Sequence, residues 1–136
     1  MSERGEINNR ERARQIRDYR ELRWGTVTPT DEDGFLDFNN ELFIHFELKL
    51  IGNDLTFGQR LAFERENDAT EKSGIPTYYL IAEHNTPIDK DINCAEALVI
   101  ECRYKGKWKI IENPIILLDA INEIRKKHGF TNGRIV

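Results

Sequence analysis

Asp33, Glu47 and Lys49 are two carboxylates and an amine that come together if the chain between them folds as a β-hairpin. Carboxylate oxygens are what a hard divalent cation takes, and Mg²⁺ keeps several waters besides. One such water can be activated for in-line attack on a phosphodiester while the ion neutralises the developing charge. Lys49 would add a fixed positive charge beside them.

The positioning depends on parity and register. Asp33-Gly-Phe-Leu-Asp-Phe38 and Leu42-Phe-Ile-His-Phe-Glu-Leu-Lys-Leu50 each alternate with the period of two that a strand requires, and Asn39, Asn40 and Glu41 supply a turn. Leu42, Ile44, Phe46, Leu48 and Leu50 then share a core face, which puts Phe43, His45, Glu47 and Lys49 on the other. With three residues in the turn, Phe38 pairs with Leu42, Leu36 with Ile44 and Asp33 with Glu47. Opposed side chains have Cβ atoms roughly 4.5–5.5 Å apart, so the two carboxylates repel unless a cation offsets the cost. A strict two-residue turn at Asn39-Asn40 would shift the register by one and send Asp33 to the wrong side, so a three-residue turn or a bulge is required. His45, on the face of Glu47, reads as a hydrogen-bonded, half-buried histidine.

The flanking segments follow from caps and breakers. Residues 7–23 have helix-forming composition, with Asn8 or Asn9 as N-cap, Ile16, Tyr19 and Leu22 as an apolar stripe, and Gly25 as the stop. Val27–Thr30 reads as a short strand, placed by Pro29 at an edge or strand end. Gly52-Asn53-Asp54 is a turn, and Thr56 caps a helix running to about Glu71. Ile75–Glu83 is a nearly unbroken apolar run and reads as a buried strand. After a polar loop, Ala95–Tyr104 and Trp108–Ile111 form a hairpin around Lys105-Gly106-Lys107. A last helix spans Pro114–Lys127, with Pro in its first turn and Gly129 past its end.

Composition bounds the answer. At 136 residues the chain reads as one domain with a core of its own. No apolar run approaches the roughly 20 residues of a membrane span, and Met1–Ile7 has no apolar signal core, so a cytoplasmic location is expected. Cys94 and Cys102 lack metal or redox spacing and read as free thiols beside the core. His84 with Cys94 falls short of a zinc site. The net charge of −4 argues against coating nucleic acid by bulk charge, yet Arg4, Arg10, Arg12, Arg14, Arg17, Arg20 and Arg23 crowd the N-terminal segment. They suit a solvated helix face or contact with a DNA backbone.

In Thr28-Pro-Thr-Asp-Glu-Asp33-Gly-Phe, Phe46-Glu47-Leu48-Lys49 and Gly58-Gln59-Arg60, over residues 7–84, the chain resembles the PD-(D/E)XK nuclease superfamily, the fold of many restriction enzymes, Holliday junction resolvases and phage recombination exonucleases. The resemblance implies an α/β (α+β) restriction-endonuclease-like core of helix, antiparallel strand meander, helix and strand, with 85–136 as a C-terminal hairpin and helix added to it. It implies a metal-dependent DNA nuclease, a homodimer, in which Asp33 and Glu47 ligate Mg²⁺ or Mn²⁺ and Lys49 orients the water or stabilises the phosphate. By the same resemblance Glu11 is a further metal ligand and Gln59 positions substrate or water. Arg10, Arg14, Arg17 and Arg60 then hold DNA, branched or single-stranded forms included. Glu11 is as well explained by a helical pair with Arg14, worth a few tenths of a kcal/mol. One departure is that Pro29 is not adjacent to the acid, so Asp31 competes with Asp33; Asp33 is preferred because it directly precedes the apolar strand and faces Glu47. Two rivals remain: a silent member of the fold that binds nucleic acid or a partner protein, and an unrelated α+β interaction domain.

Overall fold

A computed structural model describes residues 9–130 of the chain. The described residues divide into two compact units, one up to Thr30 and one from Asp31 on. In the first, the helix expected over 7–23 is a single turn, α1, Arg10–Ala13. Its N-cap is Asn9, whose side chain accepts from the Arg12 N–H at 3.1 Å; Arg4, residue 7 and Asn8 lie outside the described residues. Helix-forming composition without burial does not sustain a helix of this length. The intended stripe is unburied, with Ile16 95% and Leu22 44% exposed. Asp18 also offers a rival to helix by accepting from the Arg20 N–H at 3.0 Å. The strand expected at Val27–Thr30 is an isolated bridge between Trp24 and Val27 across Gly25, which sits at φ +64°.

The second unit is a mixed α/β fold. Its five strands, β1 (Gly34–Phe38), β2 (Leu42–Leu50), β3 (Thr77–His84), β4 (Leu98–Tyr104) and β5 (Lys107–Ile116), lie in sequence order in one sheet. All neighbours are antiparallel except β2 and β3, which are parallel because helix α2 (Phe57–Lys72) carries the chain back between them. The expected meander is thus the antiparallel pair β1–β2.

Helices cover both faces. On one, Leu42, Ile44, Tyr78, Leu80, Ala82 and Val99 pack against Leu117 and Ala120 of α3 (Leu117–Lys127). On the other, Tyr79 and Ile81 pack against Phe63 of α2, with Leu55 and Trp108. This explains why β3 loses alternation: every residue from Thr77 to Ala82 is buried.

The C-terminal boundaries differ from expectation. Pro114 lies inside β5 and α3 begins at Leu117. A proline is tolerated there because β5 is an edge strand, where a missing N–H breaks no ladder bond. In β4 the register shifts between Val99 and Glu101. That bulge resets the alternation, so Ile100 packs with the α2-side cluster and Glu101 reaches Arg60 of α2.

A buried polar node ties α2 to the sheet. Asn67, fully buried, donates to the Thr77 carbonyl at 3.0 Å and accepts from the Arg103 guanidinium at 2.6 Å. Asp68 supplies the countercharge to Arg103 at 3.0 Å. Asn67→Ala is expected to cost about 2 kcal/mol, since it leaves the buried Thr77 carbonyl without this donor and removes one acceptor from the Arg103 guanidinium. Urea unfolding measures this, and an unchanged midpoint would deny the node its role.

Candidate metal centre

The hairpin turn meets the requirement set by the register. Asn39 and Asn40 both take left-handed backbone, φ 58° and 60°, and Glu41 donates its N–H to the Phe38 carbonyl at 3.0 Å. Asparagine tolerates that region better than other residues with a Cβ. With Glu41 as the third turn residue, Phe38 pairs with Leu42, Leu36 with Ile44 and Gly34 with Phe46. Extending that register by one residue sets Asp33 opposite Glu47.

Asp33 is held to β2 at both ends. Its N–H donates to Glu47 Oε2 at 3.3 Å, and its Oδ2 accepts from the Leu48 N–H at 2.7 Å. The carboxylate therefore takes over a backbone donor just beyond the end of β1, which fixes it beside Glu47. Glu47 is 5% exposed. Burial first, and then the negative charge of Asp33, push its carboxyl up to about 7, against a smaller opposing pull from Lys49. The pair holds a proton that an ordinary surface pair would have lost.

Lys49 Nζ stands 3.8 Å from Glu47 Oε1 and donates to Gln59 Oε1 at 3.2 Å. Gln59 is also half of a capping box. Its Oε1 accepts from the Thr56 N–H at 3.1 Å while its own N–H donates to Thr56 Oγ1 at 3.1 Å. One side chain thus starts α2 and fixes the lysine, so the sequence expectation of a substrate-positioning Gln59 meets a residue that positions Lys49.

Along the same face lies a second polar group. His45, 4% exposed, is stacked between Phe35 and Tyr79, with ring centroids 4.7 and 4.9 Å away. It is more buried than the half-buried histidine expected. Its Nδ1 hydrogen-bonds Glu32, and its Nε2 lies 3.4 Å from Glu66 Oε1 of α2. Burial, followed by the charge of Glu32, raises the Glu66 carboxyl, with His45 opposing. Glu32, Asp33, Gly34, Phe35, His45 and Glu66 line a cavity of about 430 Å³. Glu32 and Glu66 were not singled out in the sequence. The available signal was a glutamate on the sheet-facing side of α2, three positions after Phe63 and one before Asn67.

Gly34 makes room for this arrangement. A Cβ there would meet the Phe46 ring at 2.1 Å. Gly34→Ala is expected to cost about 1–3 kcal/mol through displacement of that ring and of the start of β1. Denaturation compares the variants, and Asp33 should lose its contacts to β2 in step.

Of the remaining expected site residues, Arg60 is bound to Glu101 at 3.0 and 3.2 Å and to Asp54 at 3.3 Å, with its guanidinium 4.6 Å above the Trp108 ring. It braces α2 against β4 and β5. Glu11, Arg10, Arg14 and Arg17 belong to the N-terminal unit. Cys94 and Cys102 are free thiols, and burial raises Cys102 to about 11. No helix among the described residues is long and apolar enough to cross a membrane. Comparison of the chain with protein-family models, curated proteins and solved structures gave no match.

Proposed function

We propose that the protein is a divalent-metal-dependent nuclease of restriction-endonuclease-like arrangement that hydrolyses phosphodiester bonds in DNA. The observation that carries this reading is the forced pairing of Asp33 with Glu47, with the Lys49 amine held 3.8 Å from the same carboxyl. Two acids fixed side by side retain a proton at the cost of stability, and a doubly charged ion offsets that cost better. The donor set fits Mg²⁺ or Mn²⁺, being carboxylate oxygens with Asp33 open to solvent. An ion bound there would supply a Lewis acid and an activated water.

The chain's own groups divide the remaining work. Asp33 and Glu47 provide the oxygens, and Leu48 N–H occupies one Asp33 oxygen so that the carboxylate cannot rotate away. Lys49, steered by Gln59, presents positive charge on the same face, where a phosphate oxygen gains negative charge during attack. The order of hairpin, helix and parallel strand supports the superfamily arrangement. The arginines Arg10, Arg14 and Arg17 belong to the proposed DNA contact.

The test is cleavage of duplex, single-stranded and branched DNA with Mg²⁺ or Mn²⁺. Metal-dependent cutting that disappears in Asp33→Ala and Glu47→Ala is expected. Salt-sensitive DNA binding without turnover would assign the fold to a silent binder instead.

A further inference from the structure

We infer that Glu32, His45 and Glu66 form a separate site for one transition-metal ion, of the Mn²⁺ or Zn²⁺ class, in which His45 Nε2 and the Glu66 carboxylate are ligands and Glu32 braces the imidazole. Ligand atoms of these three side chains all lie within 4.8 Å of one another. A carboxylate accepts, so the Glu32 bond to Nδ1 assigns the ring proton to Nδ1 and leaves the Nε2 lone pair facing Glu66. This is the outer carboxylate that metal-ligating histidines ordinarily carry. Stacking between Phe35 and Tyr79 fixes the ring plane, so the lone pair cannot be turned elsewhere.

The spacing of Nε2 and Glu66 Oε1 is the informative distance. At 3.4 Å, Nε2 makes no hydrogen bond and has no other partner among the described residues. Charge-assisted hydrogen bonds close to roughly 2.7–2.9 Å. Two ligands on one ion, with bonds of about 2.1 Å at a tetrahedral angle, stand roughly 3.4 Å apart. Tyr79 lies beside the same acids. Its hydroxyl is fully buried, and after burial itself the carboxylates that disfavour its ionisation are Glu32, then Glu66 and Glu47. The cavity of about 430 Å³, lined by Glu32, His45 and Glu66, leaves room for an ion with its waters and gives access. A nitrogen ligand selects against Mg²⁺, which sets this site apart from the all-oxygen pair of Asp33 and Glu47.

The inference stands independently of nuclease activity, and its test reads metal coordination in the full chain. Mn²⁺ is added and electron spin echo modulation is recorded. Expected is nitrogen modulation from a directly bound imidazole, resistant to excess Mg²⁺ and absent in His45→Phe. Because His45 is buried, Glu66→Gln is the second variant, and it should weaken the nitrogen-coupled Mn²⁺ by about tenfold or more. Glu47→Gln should leave the signal intact. Absence of nitrogen coupling, its persistence in His45→Phe, its indifference to Glu66→Gln or its loss in Glu47→Gln would each overturn a separate site.

Discussion

Glu47→Gln is expected to stabilise the metal-free protein above pH 7 by roughly 2–3 kcal/mol while removing metal-dependent cleavage. The sign follows from the two states. Burial and then the Asp33 charge raise the folded carboxyl to about 7 from 4.5. Between those values the native protein binds a proton that the unfolded chain has released, so stability falls as pH rises through that window and then levels off. Glutamine carries no titratable proton and escapes the loss. Wild type and variant should therefore have similar stability near pH 4.5 and diverge toward pH 8, in denaturant titrations at fixed ionic strength. Glu66, also raised, contributes a slope of the same sign to both proteins, so the difference between them isolates Glu47.

A metal ion bound as proposed would reverse the penalty. Because an ion must displace the Glu47 proton, Mn²⁺ affinity at this pair should rise about tenfold per pH unit below 7 and flatten above it. A wild-type protein whose stability does not fall between pH 5 and 8 without metal would mean that the two acids are not forced together. The proposed chemistry would then lose its origin.

Lys49→Met is expected to lower the cleavage rate about 10²–10³-fold while leaving Mn²⁺ binding at pH 8.5 within about threefold of wild type. In the proposed reaction the amine meets charge that develops only during attack, so the loss should fall on kcat rather than on KM. Near pH 6.5 metal binding should also weaken, because Lys49 holds the Glu47 carboxyl down and its removal strengthens the competing proton. Gln59→Ala separates support from chemistry. Loss of the capping box should cost about 1 kcal/mol of stability, and the freed lysine should retain part of its effect on rate. Cleavage at the wild-type rate in Lys49→Met would remove the amine from the mechanism.

The polar face of β2 was determined by sequence alone, and the hairpin register followed once the turn held three residues. Alternation over Leu42–Leu50 leaves one choice of core face, and a three-residue turn leaves one partner for each strand residue, so the meeting of Asp33 and Glu47 followed from counting. The α2 cap at Thr56 and the buried run of β3 were legible for the same reason, since capping and strand burial are written in neighbouring residues. Tertiary structure decided what depended on distant partners. Residues 7–23 have helical composition, yet among the described residues of that span helix persists only over Arg10–Ala13, because Ile16 and Leu22 stay exposed. Pro114 fell in a strand because β5 became a sheet edge, a fact no local window contains. Glu66 reached His45 only because α2 folds across the face that β2 and β3 share, while Glu32 reached it from the segment just before β1. Short-range pattern fixes which way a side chain points along its own strand or helix; what stands opposite it is set by how the layers pack.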